Sequence, residues 1–330
     1  MFNRILKNRL LVQLLLSLLL SFFEVKVDAS VSINDTSLIF YYGPQFSDST
    51  RYELSEASEI LKNPHFKKQE THLYFHGWKE SQTSGSNNIP TTVAAYLKRK
   101  DVNLITVDYA KAAGERYFEV ALVNIEELAP VLADAVIDLF EAGVDRKEFR
   151  VVGHSVGAQL AAMMGRNIIK KSNGKHKIYR MAALDPAFPL FGPFFKPNIN
   201  QNDADFVQII HTEAGTFGQP VSSGHVDFWP NGGRGQPGCG FLTLPLFPAD
   251  ICGHRRSWDL WAESVANVNN TSPKFLGFPS LTYQEFVWAG DGNLKNKPVE
   301  MGINCPMSAR GDYYLKTNSE SPFAKGMEGY

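Results

Sequence analysis

The 330-residue sequence predicts an α/β fold, a mostly parallel sheet covered on both faces by helices. Three observations carry that expectation. Short runs rich in β-branched and aromatic residues alternate with longer stretches of helical character over most of the chain. One run, "FRVV" at 149–152, ends in Gly153 and passes at once into an Ala-rich helical stretch. No internal repeat or low-complexity linker divides the chain, so residues 30–330 read as one domain.

The N-terminus comes first. Arg4, Lys7 and Arg9 precede an apolar run from 10 to 23, interrupted only by Gln13 and two serines, and Val27-Asp28-Ala29 offers a small-residue cleavage site. That is the pattern of a secretory signal peptide over residues 1–29, and the run is too short to span a membrane. No later stretch is long and apolar enough to form a transmembrane segment. The expected mature chain of about 300 residues starts near Ser30, is secreted and extracellular, and carries a net charge of about −3. It has no basic block, which gives nucleic-acid or heparin-like partners no support. Asn34, Asn269 and Asn270 each sit in an N-x-S/T glycosylation acceptor, as suits a secreted chain.

Strands are expected at 38–42, 73–76, 104–109, 150–153, 179–184 and 206–211, and helices at 91–100, 120–140 and 156–170. Thr282 and Glu285 make a capping box ahead of a further apolar helical turn. The segment 212–251 breaks the rhythm. Its glycines and prolines, as in "WPNGGRGQPGCG", are loop composition, and loops this long in a compact domain are usually functional. Placed after the last core strands, it would lie over the end of the sheet. Of the three cysteines, the near pair Cys239 and Cys252 would close a small loop in an oxidising compartment, leaving Cys305 over. Neither a base nor a C-x-x-C spacing accompanies any of them, so thiol catalysis is the weaker reading.

The chemistry gathers around "GHSVG" at 153–157. Glycines two before and two after Ser155 suit a sharp strand-to-helix turn, the nucleophile elbow, which points a helix N-terminus at the reacting centre. Ester hydrolysis also needs a base, an acid to orient it, and donors for the oxyanion. Asp185 ends the run "IYRMAALDP", where the residues allow either the acid or an ordinary Asp-Pro turn. Three histidines follow it, His211, His225 and His254, and the residues do not choose cleanly among them. The proximity of Cys252 favours His254. Upstream, the His-Gly-aromatic triplet in "THLYFHGWKES" suits an oxyanion loop, with the amides of Trp78 and Val156 as donors.

Taken in order, "HGW", "VDY", "GHSVGA", "LDPAFP", "IIHTEAG", "GHVDFWPNGG", "QPGC", "CGHRRS" and "GDYYLKTNSESPFAKG" resemble the pancreatic-lipase family in its animal secreted branch, over about residues 41–326. The resemblance implies an α/β-hydrolase fold with Ser155 as nucleophile, Asp185 as acid and His254 as base. It also implies that Cys239 and Cys252 bracket a lid, here only residues 240–251. The short lid and the short loop at 212–224 resemble the family's sn-1-acting phospholipases and galactolipases more than its long-lidded triglyceride lipases. The family's C-terminal β-sandwich, which receives colipase, has no counterpart in this sequence, so no colipase is expected. In the family's calcium loop, at "KPNINQNDADF", Asp203 matches a ligand position while Asn200 stands where an Asp is usual. Yolk-protein relatives that bind rather than cleave keep the fold and lack the serine, whereas this chain keeps the full triad. The expectation is a secreted carboxylic ester hydrolase acting on phospholipid, galactolipid or glyceride at an interface, with no cofactor.

Overall fold

A computed structural model describes residues 33–81, 87–114, 116–192, 195–240, 251–267 and 272–330. The signal-peptide segment, most of the lid, Asn269 and Asn270 lie outside the described residues.

Eleven strands form one sheet in the order β10-β9-β11-β8-β7-β6-β5-β3-β4-β1-β2. The strands are β1 (Ser37–Tyr41), β2 (Ser49–Glu53), β3 (Glu70–Phe75), β4 (Val102–Asp108), β5 (Phe149–His154), β6 (Arg180–Leu184), β7 (Phe206–Ile210), β8 (Val226–Pro230), β9 (Leu276–Pro279), β10 (Val299–Glu300) and β11 (Gly311–Leu315). From β11 to β4 every pairing is parallel, and antiparallel strands close both edges.

The alternation of side chains along each central strand splits the core in two. Leu73, Phe75, Ile105, Val107, Val151, Met181, Ala183, Val207 and Ile209 face one side. Tyr74, Leu104, Val152, Ala182, Leu184, Phe206 and Ile210 face the other. Apolar residues on both faces explain why these strands read as continuous apolar runs in the sequence. Helices α2 (Ile125–Glu141) and α3 (Val156–Lys171) pack together over the first face. Helices α1 (Asn88–Leu97) and α4 (Cys252–Ala266) pack together over the second. This is the α/β-hydrolase architecture. Among the described residues no helix is long and apolar enough to cross a membrane.

The six expected strands all form, each within three residues of the expected bounds. The expected helix at 120–140 divides into a π-turn at Val120–Asn124 and α2. The π-turn lets Asn124 donate to the Ala112 carbonyl at 2.9 Å. The segment 212–251 is not wholly loop, because it contains β8, which lies between β7 and β11 inside the sheet. Five residues between Gly224-His225 and Asn231-Gly232, ended by Pro230, carry too little pattern to stand out from the turns around them. A short helix at Tyr283–Ala289, α5, follows Thr282, whose hydroxyl accepts from the Glu285 amide at 3.2 Å.

Candidate active site

Strand β5 runs straight into α3 through Ser155, whose backbone is forced to φ 55° and ψ −124°. That conformation is costly for a non-glycine residue and is held here by the packing on either side. The two flanking glycines make it sterically feasible. A Cβ on Gly153 would stand 2.7 Å from the Ala158 backbone, and one on Gly157 would stand 2.2 Å from the carbonyl oxygen of His76. The Ser155 amide donates to the Leu184 carbonyl at 3.0 Å, which ties the elbow to the end of β6.

Asp185 follows β6 directly, also at positive φ, and is fully buried. Its Oδ1 accepts the amides of Thr212 (2.8 Å) and Glu213 (3.1 Å) beyond β7. Its Oδ2 lies 2.6 Å from Nδ1 of His254. Gly218 leaves room for this carboxylate, since a Cβ there would come within 2.3 Å of it. Nε2 of His254 in turn lies 2.7 Å from Oγ of Ser155. The three residues chosen from sequence are thus brought into one hydrogen-bonded line. His254 belongs to the first turn of α4, which Cys252 begins. Burial depresses the basicity of its imidazole, and the Asp185 bond only partly offsets that effect.

The other two histidines are engaged elsewhere. His211 is bonded to Asp227 (2.8 Å) and the Gln219 carbonyl (3.1 Å) and stacks on Trp229 at 3.7 Å. His225 accepts the Val207 amide at 3.0 Å.

A cavity of about 120 Å³ opens over Ser155 and His254 and is lined by Trp78, Tyr117, Ala187, Pro189, Phe217 and Ile251. Its wall is apolar, with Tyr117 edge-on to Trp78 at 5.5 Å and Phe217 5.4 Å from the His254 ring. Trp78 follows β3 across His76-Gly77, whose backbone abuts Gly157, so the loop carrying one expected oxyanion donor lies against the elbow that carries Val156. Glu80 and His154 also face this cavity, and sequence reading missed both. The signal was present in "HGWKES" and "GHS", but only the fold makes the two residues neighbours.

Cys239 and Cys252 are disulfide-bonded with their Cα atoms 5.6 Å apart, and Cys252 begins the helix that carries His254. Cys305 is buried and free, and burial pushes its thiol up to about 12. Asn34 is exposed. The residues around Asp203 do not fit a calcium ion. The Arg166 guanidinium binds both of its carboxylate oxygens, at 2.8 and 3.0 Å, and donates to the Asn198 carbonyl at 2.7 Å. Asn200 adds its amide N–H to the same carboxylate at 2.8 Å. The Asp203 carboxylate is thus already paired with a protein cation.

The sequence model of the family described as Lipase matches residues 24–323. The chain is 31% identical to Phospholipase A1 member A of Rattus norvegicus over 299 residues, 84% of this chain and 61% of that protein. It is 31% identical to Lipase member H-B of Xenopus laevis over 220 residues, 66% of this chain and 45% of that protein. It is 28% identical to Pancreatic lipase-related protein 2 of Bos taurus over 277 residues, 78% of this chain and 56% of that protein. The aligned part thus spans about half the length of these relatives. Matched from before β1 to beyond β11, the chain belongs to the lipase family.

Proposed function

We propose that this chain is a secreted carboxylic ester hydrolase acting on lipid, with Ser155 as nucleophile, His254 as base and Asp185 as the acid that orients it. The observation that carries the reading is the buried line from Ser155 Oγ through His254 to Asp185, at 2.7 and 2.6 Å. His254 Nε2 takes the Ser155 proton as Oγ attacks the ester carbonyl carbon. The carbonyl electron pair moves onto oxygen, where the amides of Trp78 and Val156 hold it. Asp185, fixed by two backbone amides, steadies the imidazolium. Collapse expels the alcohol with the proton from His254 and leaves an acyl-Ser155. A water deprotonated by His254 then releases the acid by the reverse path.

Within that class we read the sn-1 ester of a phospholipid as a substrate at least as good as triglyceride. Two features support this. Relatives include proteins named Phospholipase A1 member A, and the short segment between Cys239 and Cys252 is tied at both ends. A lid this short, though apolar in sequence, favours a substrate with a polar headgroup over one that must be gripped by a third acyl chain.

The test is Ser155→Ala on the secreted protein, with fluorophosphonate labelling and turnover of phosphatidylcholine and of a triglyceride. The substitution removes a single oxygen and leaves the elbow backbone and its packing in place, while turnover should fall by up to ~10⁶-fold and labelling should cease. Near-normal activity in Ser155→Ala refutes the reading. Triglyceride turnover that jumps at the solubility limit, with no phospholipid cleavage, refutes the substrate preference alone.

A further inference from the structure

We propose that Glu80 is a positioning residue for the oxyanion loop, acting through a buried ion pair with His154 that fixes the loop, the elbow and the base helix against one another. This role rests on the reading of Ser155 as nucleophile and adds a residue to it.

The contacts converge on one carboxylate oxygen. Oε2 of Glu80 accepts the Gly77 amide at 2.6 Å, the side-chain amide of Asn88 and Nδ1 of His154 at 3.1 Å. Gly77 immediately precedes Trp78, the expected oxyanion donor on this side. Asn88 is the first residue of α1 and is itself held by the Tyr74 hydroxyl at 2.6 Å. His154 is the residue before Ser155, and its Nε2 donates to the His254 carbonyl at 3.3 Å. One carboxylate–imidazole pair therefore touches the segments that carry nucleophile, oxyanion donor and base. The space is filled, because a Cβ on Gly77 would stand 2.9 Å from the His154 ring and 3.0 Å from the Glu80 carboxylate.

Each partner favours the charged form of the other. Burial by itself would raise the Glu80 carboxyl, but the adjacent His154 and the Gly77 amide outweigh it and hold the group at about 2. Burial would likewise lower His154, and Glu80 outweighs that in turn and raises it. A buried ion pair contributes little net stability, because desolvating two charges costs about what their attraction returns. What it supplies here is geometry. With its N–H anchored to a fixed carboxylate, Gly77 can present the following amide toward the serine without reorganising when the oxyanion forms.

The test uses the full secreted chain, a soluble short-chain p-nitrophenyl ester, and an alkyl trifluoromethyl ketone. In the ketone adduct a C–O bond forms between Ser155 Oγ and the carbonyl carbon, the serine proton passes to His254, and the π pair becomes an oxyanion in the same place as in the reaction. Glu80→Ala should lower kcat by ~10²-fold or more, the size of a lost oxyanion donor, with KM within about threefold. Affinity for the ketone should fall by the same factor as kcat/KM, since both report the tetrahedral state. Glu80→Gln keeps an oxygen for the Gly77 amide and loses the ion pair, so it should lose on the order of tenfold in kcat and ketone affinity together. A folded Glu80→Ala, or a Glu80→Gln if Ala does not fold, with wild-type kcat and ketone affinity overturns the proposal. So does a variant with lowered melting temperature and KM changes alone. Ser155→Ala run alongside separates the two failures. If Ser155→Ala is inactive and the Glu80 variants are normal, only the role of Glu80 falls; if Ser155→Ala remains active, the reading beneath it falls.

Discussion

Replacing Gly157 with alanine adds one carbon to the elbow, and the structure says where it would go. Its Cβ would lie 2.2 Å from the carbonyl oxygen of His76 and 2.8 Å from that of Phe75, both main-chain atoms. Real Cβ atoms are essentially never closer than 3.0 Å to such neighbours, so α3 and the end of β3 must part by about 0.8 Å. No rotamer change relieves the clash, because neither atom belongs to a side chain. Overpacking of this kind typically costs about 1–3 kcal/mol. The functional cost is larger. The displaced segment runs through Gly77 to Trp78, and misplacing a catalytic group by about 1 Å can cost ~10²-fold in rate. Gly157→Ala should therefore fold, melt a few degrees lower, and lose about 10²-fold in kcat with fluorophosphonate labelling slowed in proportion. Gly114→Ala is the control, since nothing lies within 4 Å of a Cβ built there and it should behave as wild type. A Gly157→Ala variant with kcat within threefold of wild type would mean that the proposed oxyanion loop does not abut the elbow as described.

Three further expectations follow from the same geometry. Asp185→Asn keeps an acceptor for the Thr212 and Glu213 amides but turns a hydrogen-bond donor toward His254, so kcat should fall by ~10⁴-fold with secretion intact; a loss under tenfold would remove Asp185 from the role. The pH–rate profile of kcat/KM should fall on its acid side below the ordinary histidine value of about 6.5, because burial depresses His254 and only its neutral form can accept a proton; an acid limb centred above that value contradicts the buried geometry. Chelation with EDTA should leave activity and melting temperature unchanged, since Arg166 rather than a metal neutralises Asp203; a calcium-dependent rise in melting temperature would show that the guanidinium yields to the ion.

Some of this site was legible because it is written in local sterics. The spacing of Gly153 and Gly157 about Ser155 encodes a turn that no bulkier pair could make, and the turn forms where the spacing puts it. Asp185 could be placed at a strand end because the apolar run before it stops there. Beyond the first core strands the pattern was weaker. Strand β8 was hidden among glycines and prolines, and β9, β10 and β11 are short pieces whose pairing partners decide their conformation. Strand propensity is mostly the fit to a neighbouring surface, and a single sequence does not display the neighbour.

By itself the sequence determined the class of fold, the two-faced burial of the parallel strands, the position of the elbow and the chemical types assembled around it. The tertiary structure decided which groups meet. His211 beside Asp227, at 2.8 Å, is the same pair of chemical types as His254 beside Asp185, at 2.6 Å, and beyond the nearby Cys252 little in the local chain separates them. What separates them is that His254, 99 residues from Ser155, is carried to its hydroxyl by α4, while His211 is held against Trp229. Glu80 and His154, 74 residues apart, became a pair in the same way, and Arg166 reached the carboxylate of Asp203 from one turn of α3. Backbone sterics and periodicity act over a few residues and can be read from the order of side chains. The approach of two polar groups far apart in sequence is set by how the helices pack on the sheet, and burial then makes each such meeting either well paired or costly.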